Sequence, residues 1–356
     1  MDDAFRAHIE HLFPGSAVEA IERLRPDASD RATSAAKAAG YGEPTRIVVV
    51  ERDGIRHDLV WRTLGANEFG HDRRADRAGE LLQAYEDFAA TPSHVRALDV
   101  GLIGADGSLC SLRSAGEPYL ITSYAPGEPY AADLRRIAAL RSAEPSDLAR
   151  VDALADYLAA LHTPIANGAT RYRRAIRDLI GSGEGVFGIV DGYPPGAVDR
   201  SRLRTIEDAC LPWRDRLYDR YDRLTRAHGD FHPFNILFDD TTLTLLDASR
   251  GGAGDPADDV SALAVNFLLF AIDDPAAWHG LGVVWRHWWA AYLVRRTDAE
   301  LLAVVPPFFA WRILVVCNPH FYPQLTARGR DRLLGFAEEL LAAGSLDPRA
   351  AEELFW

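Results

Sequence analysis

The residues from His228 to Leu237 read His-Gly-Asp-Phe-His-Pro-Phe-Asn-Ile-Leu, and Asp247 follows behind the apolar run Leu243 to Leu246. An aspartate, an amide five positions later and a second aspartate beyond a short hairpin are the groups that phosphoryl transfer calls for. That reaction makes little covalent demand on a protein. A nucleophile has to be aimed, and the phosphate oxygens have to be neutralised by a metal ion. Asp230, Asn235 and Asp247 have the required types at the required intervals. The chain between them fits too: Ile236 to Phe238 is a short apolar strand, Asp239 to Thr242 a polar turn and Leu243 to Leu246 a returning strand. Antiparallel pairing puts Asn235 at one strand's start beside Asp247 at the other's end, close enough to share a metal.

The same string has a rival reading. His228-x-Asp230-x-His232 alternates like ligands along one face of an extended segment, as in a metal-dependent hydrolase. A closed site needs more ligands, but His279, His287 and His320 are scattered and Cys110, Cys210 and Cys317 are isolated.

With Gly254-Asp255-Pro256-Ala257-Asp258-Asp259 behind Leu245-Leu246-Asp247, the string resembles the aminoglycoside phosphotransferase and choline kinase family, relatives of the protein kinases, over residues 225–270. The resemblance implies an α+β, two-lobed protein-kinase-like fold. A small N-terminal antiparallel-sheet lobe, residues 1–125, would bind the nucleotide, and a larger, mostly helical lobe, residues 126–356, would carry catalysis and the acceptor. ATP, or another nucleoside triphosphate, and Mg²⁺ are implied with it. Carried over residue by residue, the resemblance makes Asp230 the base that orients the acceptor hydroxyl, and Asn235 and Asp247 the Mg²⁺ ligands. His228 would brace the loop by hydrogen bonding, His232 would sit near the metal or acceptor, and Asp255 would buttress the loop from the next helix. Residue chemistry alone gives Asp255 a plainer role: Asp-Pro is a good helix start, and Asp258 and Asp259 favour the positive end of the helix dipole.

An N-terminal nucleotide lobe must then position the phosphates. Arg46 to Glu51 and Ile55 to Arg62 flank an Asp-Gly turn and predict a β-hairpin. Where the family carries a phosphate-contacting lysine at the end of the second strand, this chain has Arg62. Arginine keeps the charge with a different geometry, and Lys37 is the one lysine among 39 basic residues. Residues 76–89 repeat apolar Ala78, Leu81, Leu82, Tyr85 and Phe88 at helical spacing. On that helix Glu80, or alternatively Glu86, would pair with the phosphate-contacting cation. Candidate phosphate loops are Asp27 to Arg31 and Gly40-Tyr-Gly42, whereas the literal Gly183-Glu-Gly185-Val-Phe-Gly188 follows a helical stretch and reads as a turn. Tyr119 to Tyr124 is expected as a buried strand. In the family it is the hinge, so Thr122, Ser123 and Tyr124 would border the base.

Asp147 to His162 predicts an amphipathic helix stopped at Thr163-Pro164. Residues 165–225 read as a polar, Gly/Pro-interrupted insertion near the acceptor. The apolar run Val260 to Ile272 is too short to span a bilayer and predicts a buried helix. Aromatic residues gather in the last 80 positions, where the family shapes its acceptor pocket. A net charge of −13 argues against nucleic acid and anionic membranes and favours a cationic small-molecule acceptor, such as an aminoglycoside or amino alcohol, beside sugars. Three unpatterned cysteines and no evident signal peptide point to the cytoplasm. The predicted activity is an ATP- and Mg²⁺-dependent small-molecule kinase. Arg62 and the missing glycine pattern keep open a catalytically impaired kinase-fold binding protein, and oligomeric state is undetermined by sequence.

Overall fold

A computed structural model describes residues 3–24, 44–240, 242–248 and 250–356. The candidate phosphate loops at Asp27 to Arg31 and Gly40 to Gly42, and Lys37, lie outside them. The architecture is mixed α+β, with a small antiparallel-sheet part and a larger helical part. The chain divides into two compact units, Met1–Thr122 and Ser123–Trp356.

In the first unit, strands β1 (Ala17–Arg23), β2 (Thr45–Val50) and β3 (Arg56–Trp61) form an antiparallel sheet in that order. The β2–β3 register runs from Thr45 opposite Trp61 to Val50 opposite Arg56, the hairpin that the Asp-Gly turn predicts. Helix α1 (Asp3–Leu12) buries Phe5 and Ile9 against Ile47 and Val49, and the Phe5 ring meets Trp61 edge-on at 5.1 Å. Helix α2 (Arg74–Ala90) covers the predicted helical stretch, although none of its residues is fully buried. Strands β4 (Gly101–Ile103) and β5 (Leu109–Ser111) pair with each other.

Tyr119 to Tyr124 corrects an expectation. This segment is not a buried strand: it runs without regular structure, and Tyr119, Leu120, Ile121 and Tyr124 are 81–91% exposed. Apolar composition makes a strand only where a neighbouring edge supplies ladder hydrogen bonds and side-chain contacts. Among the described residues no strand pairs with it.

The second unit begins with β6 (Glu128–Pro129), which pairs with a hairpin of β7 (Ile236–Asp239) and β8 (Thr242–Leu245). Around it pack helices α3 (Tyr130–Leu140), α4 (Pro145–Leu161), α5 (Ala169–Gly181), α6 (Val186–Asp191) and α7 (Arg200–Leu217). The helical series continues with α8 (Pro256–Leu269), α9 (Trp278–Arg295), α10 (Leu301–Val304), α11 (Pro306–Cys317) and α12 (Ala327–Ala343). Helix α4 lays Val151, Leu154 and Leu158 on α9, and α8 packs against α11. Trp278, Trp285, Trp288 and Trp289 are buried in this core, so most C-terminal aromatics pack helices together. Among the described residues no helix is long and apolar enough to cross a membrane.

Residues 165–225 are not an irregular insertion but largely three helices. Tyr172, Ile176, Leu179 and Ile180 on α5, and Leu203, Ile206, Cys210, Trp213 and Leu217 on α7, form buried stripes at helical spacing. Arginines on the opposite faces and Pro212 within α7 mask that spacing in the sequence. The literal glycine pattern is packing: Gly185 precedes α6, and a Cβ on Gly188 would collide with the Gly183 backbone.

Asp255 anchors this unit. It caps α8 by accepting from Ala257 N–H (2.9 Å), accepts from Tyr172 Oη–H (2.8 Å), and receives the Arg223 guanidinium on both oxygens (2.8 and 2.9 Å). Both ionic partners are buried. Asp255→Ala is therefore expected to cost about 3–5 kcal/mol in denaturant unfolding, since it leaves Arg223 buried with only part of its charge compensated. An unchanged midpoint and slope would contradict this.

Candidate active site

The loop from His228 to Asn235 is held at both ends by backbone. Thr225 and Gly254 exchange N–H···O bonds at 3.0 Å, and Leu246 N–H donates to Asn235 O at 2.9 Å across the hairpin. Gly229 has φ +83°, where a side chain is strained, and a Cβ there would lie 3.2 Å from the Arg250 side chain. The glycine of His-Gly-Asp thus has a steric reason. The His228 ring braces the turn by accepting Asp230 N–H at Nδ1 (3.3 Å).

The buttress of the loop is Asp259, not Asp255. Its carboxylate, fully buried on the first turn and a half of α8, accepts from His228 N–H (2.7 Å) and Gly229 N–H (2.8 Å). His162 at the end of α4 donates to it from Nε2 (3.1 Å), while His162 Nδ1 meets Tyr292 Oη at 2.6 Å. Burial acts to raise the Asp259 pKa, but His162 and the two backbone N–H groups outweigh it and hold the carboxyl below its usual range. Asp255 points instead to Arg223 and the helix start, because it is the N-cap, with extended backbone (φ −82°, ψ 138°) outside the helical turn that carries Asp259.

Asp230 is largely buried and surrounded by donors. Arg312 Nη1 lies 2.6 Å from Oδ1, His232 Nε2 lies 3.4 Å from Oδ2, and Asn235 Nδ2 lies 3.4 Å from Oδ2. Arg312, buried on α11, also donates to Gly229 O (2.9 Å) and to Asp258 Oδ1 (2.6 Å). Burial works to raise the Asp230 pKa. The His232 contact and the Arg312 and Arg250 charges overcome that and hold it well below the carboxylate range. Asp258 goes the other way, pushed up to about 6 by burial and by the neighbouring Asp259 charge against the pull of Arg312.

Asn235 immediately precedes β7 and Asp247 lies two residues past β8, one register step from being opposite, since Asn235 pairs with Leu246. Asp247 is exposed and has φ +50°. The Asn235 amide nitrogen points to Asp230, which leaves its oxygen available as a hard ligand. Two oxygen ligands at most, completed by phosphate oxygens and water, suit Mg²⁺ better than a transition metal. Among the described residues no cluster of three or more His, Cys, Asp or Glu could hold an ion.

Of the other expected residues, Arg62 is exposed just past β3. Glu80 pairs with His71, which stands on the turn before α2, and among the described residues no contact joins it to Arg62. The expected Arg62–Glu80 pair is therefore not formed. Thr122 ends the first unit, and Ser123 and Tyr124 open the second. Tyr124 borders an open groove of about 580 Å³ with Glu128, Asp133, Arg136 and Arg150.

Asp230 and His232 open onto a cavity of about 390 Å³ bounded by α6, α8 and α11. Sequence reasoning missed Arg312 and Asn266 in its wall. The available signal was an arginine within the apolar Phe308-Phe-Ala-Trp-Arg-Ile-Leu-Val-Val316, a position where a charge is expensive unless partnered.

Residues 67–293 match the model of a phosphotransferase enzyme family. No curated protein sequence matches the chain. Among solved structures, it is similar to an amicoumacin kinase complex with AMP-PNP, Ca²⁺ and Ami (13% identity, 98% of this chain and 97% of that one, TM-score 0.42). A glucosamine kinase (16% identity, 92% and 91%, TM-score 0.36) and a Plasmodium vivax ethanolamine kinase (11% identity, 87% and 81%, TM-score 0.36) are also similar. At these identities and TM-scores the likenesses bear no weight on substrate or mechanism.

Proposed function

The chain belongs to the phosphotransferase enzyme family, and from that premise we propose that it transfers the γ-phosphoryl group of ATP, or of another nucleoside triphosphate, to a hydroxyl of a small molecule. The supporting observation is Asp230: a carboxylate kept ionised by Arg312 and His232 at the mouth of a cavity, with the Asn235 amide beside it. Asp230 orients the acceptor hydroxyl. Its depressed pKa makes it too weak a base to ionise a resting alcohol, so it takes the proton late, as the oxygen forms its new bond to phosphorus and the bond to the departing ADP oxygen breaks. Asn235 and Asp247 supply oxygen ligands to Mg²⁺. The bound ion would neutralise the phosphate oxygens and align them for in-line transfer. Asp259 and His162 fix the loop's backbone so that Asp230 need not be ordered at each turnover.

The test is ADP release from ATP and Mg²⁺ across amino alcohols, sugars, nucleosides and aminoglycosides. Release that depends on acceptor and is abolished by EDTA supports the reading. The second reading, a kinase-fold protein that binds nucleotide without turnover, draws on Glu80 being engaged by His71. Nucleotide binding by calorimetry with no acceptor-dependent release would favour it.

A further inference from the structure

From the wall of the cavity beside Asp230 we infer that the acceptor is a compact, uncharged alcohol with an apolar body and one further hydrogen-bond donor, rather than a cationic amine. This rests on the phosphotransferase reading and concerns the same site. Volume is the first observation. At about 390 Å³ the cavity lies at the small end of ligand sites and suits a compact acceptor.

Charge is the second. Asp230 is the one carboxylate among the lining residues, and Arg312 already neutralises it. Two arginines of the wall face that one carboxylate, Arg312 at 2.6 Å and Arg250 at 3.9 Å, and Arg312 also binds Asp258 while Arg250 lies 3.5 Å from Glu184, so no lining carboxylate is left uncompensated for an ammonium group. Two aromatic faces at the site already carry guanidinium groups. The Phe234 ring carries the Arg135 guanidinium at 5.6 Å, and the neighbouring Trp311 ring carries Arg312 at 4.0 Å and Arg250 at 4.9 Å. Apart from His232 and Asn266 the remaining wall is largely apolar: Ile189, Ala262, Val265, Val315 and Val316, with Phe321 and Tyr322 at one side.

The third observation selects a donor. Asn266 projects from the buried face of α8 into this wall. Its Nδ2 donates to Ala262 O at 2.8 Å, while its Oδ1 is buried without a hydrogen-bond partner among the described residues. An acceptor of hydrogen bonds left unpaired in an apolar wall is costly, and a substrate N–H or O–H relieves it. The acceptor hydroxyl faces Asp230, forms the O–P bond and yields its proton there while ADP leaves; a second donor group meets Asn266.

Three alcohols of one skeleton test this with the full-length protein, ATP and Mg²⁺: N-acetylphenylalaninol (neutral, N–H kept), phenylalaninol (cationic) and 3-phenyl-1-propanol (neutral, no second donor). Calorimetric binding is measured beside ADP release. Expected is kcat/KM for the acetylated compound about tenfold or more above the other two. Asn266→Leu should abolish its advantage over 3-phenyl-1-propanol, and Asn266→Asp should shift preference toward phenylalaninol. Turnover that favours phenylalaninol in the unaltered protein overturns the acceptor class and leaves phosphoryl transfer standing. Selective binding of the acetylated compound without turnover keeps the class and overturns phosphoryl transfer. Failure of the acetylated compound to bind overturns the class, as does indifference of its binding to both Asn266 substitutions.

Discussion

Asp230→Asn should lower acceptor-dependent ADP release by about 10²–10⁴-fold, the range associated with losing one acid–base group, while nucleotide still binds. The substitution keeps the size of the side chain and its contact with Asn235, but removes the charge that aligns the hydroxyl and accepts its proton. Arg312 loses one ionic partner and keeps Asp258 at 2.6 Å and Gly229 O at 2.9 Å, so the loop remains tethered. Circular dichroism and a thermal melt separate loss of chemistry from loss of fold. Folded protein with undiminished kcat would falsify the role given to Asp230.

Arg312→Met should be destabilising by about 3–5 kcal/mol at neutral pH, because it removes the cation shared by two largely buried carboxylates, leaving Asp258 beside the Asp259 charge and Asp230 with only His232 and the more distant Arg250. The pH dependence fixes the sign. With Arg312 present, Asp230 has a depressed folded pKa, so its contribution to stability is present above the unfolded carboxylate pKa and lost as pH falls through the lower folded one. Without Arg312 the burial that opposes ionisation prevails more strongly at Asp230 and at Asp258, which is pushed up to about 6 even in the intact site. The deficit against the unaltered protein should accordingly shrink as pH falls toward about 6, between the higher Asp258 pKa of the variant and that of the intact site, and shrink again in acid as Asp230 protonates in the variant before it does in the intact protein. The acid limb of kcat/KM should move to higher pH for the same reason. Arg312→Lys, which restores charge without the fork, should recover part of the stability. A deficit that is constant with pH would show that lost packing, not stranded charge, is responsible.

The parts of the fold and site that were legible in sequence are those written in contiguous residues. His228 to Asn235 and the hairpin to Asp247 depend on turns and strands a few residues long, so their spacing carries the geometry. Helices α4 and α8 were legible because one has a periodic apolar stripe and the other an unbroken apolar run. What remained hidden is set by packing between distant segments. Arg312 reaches Asp230 across 82 residues of chain, and Asp259 reaches the backbone of His228 across 31. From sequence alone Asp255 and Asp259 are two acids in the first turns of a helix; only the direction of α8 decides that the second faces the loop. Tyr119 to Tyr124 failed for the related reason that a strand requires a partner, and the α5 to α7 stripes were obscured by arginines and Pro212.

The central claim is metal-assisted transfer of phosphate to a hydroxyl through the Asp230 loop, and ³¹P NMR of the reaction products tests it most directly. The protein is incubated with ATP and Mg²⁺ and the acceptors named above, beside Asp230→Asn, Asp247→Ala and an EDTA control. A new phosphomonoester resonance, bonded to the acceptor carbon chain and lost in all three controls, is the expected result. The same resonance at undiminished rate in Asp230→Asn and Asp247→Ala would contradict it.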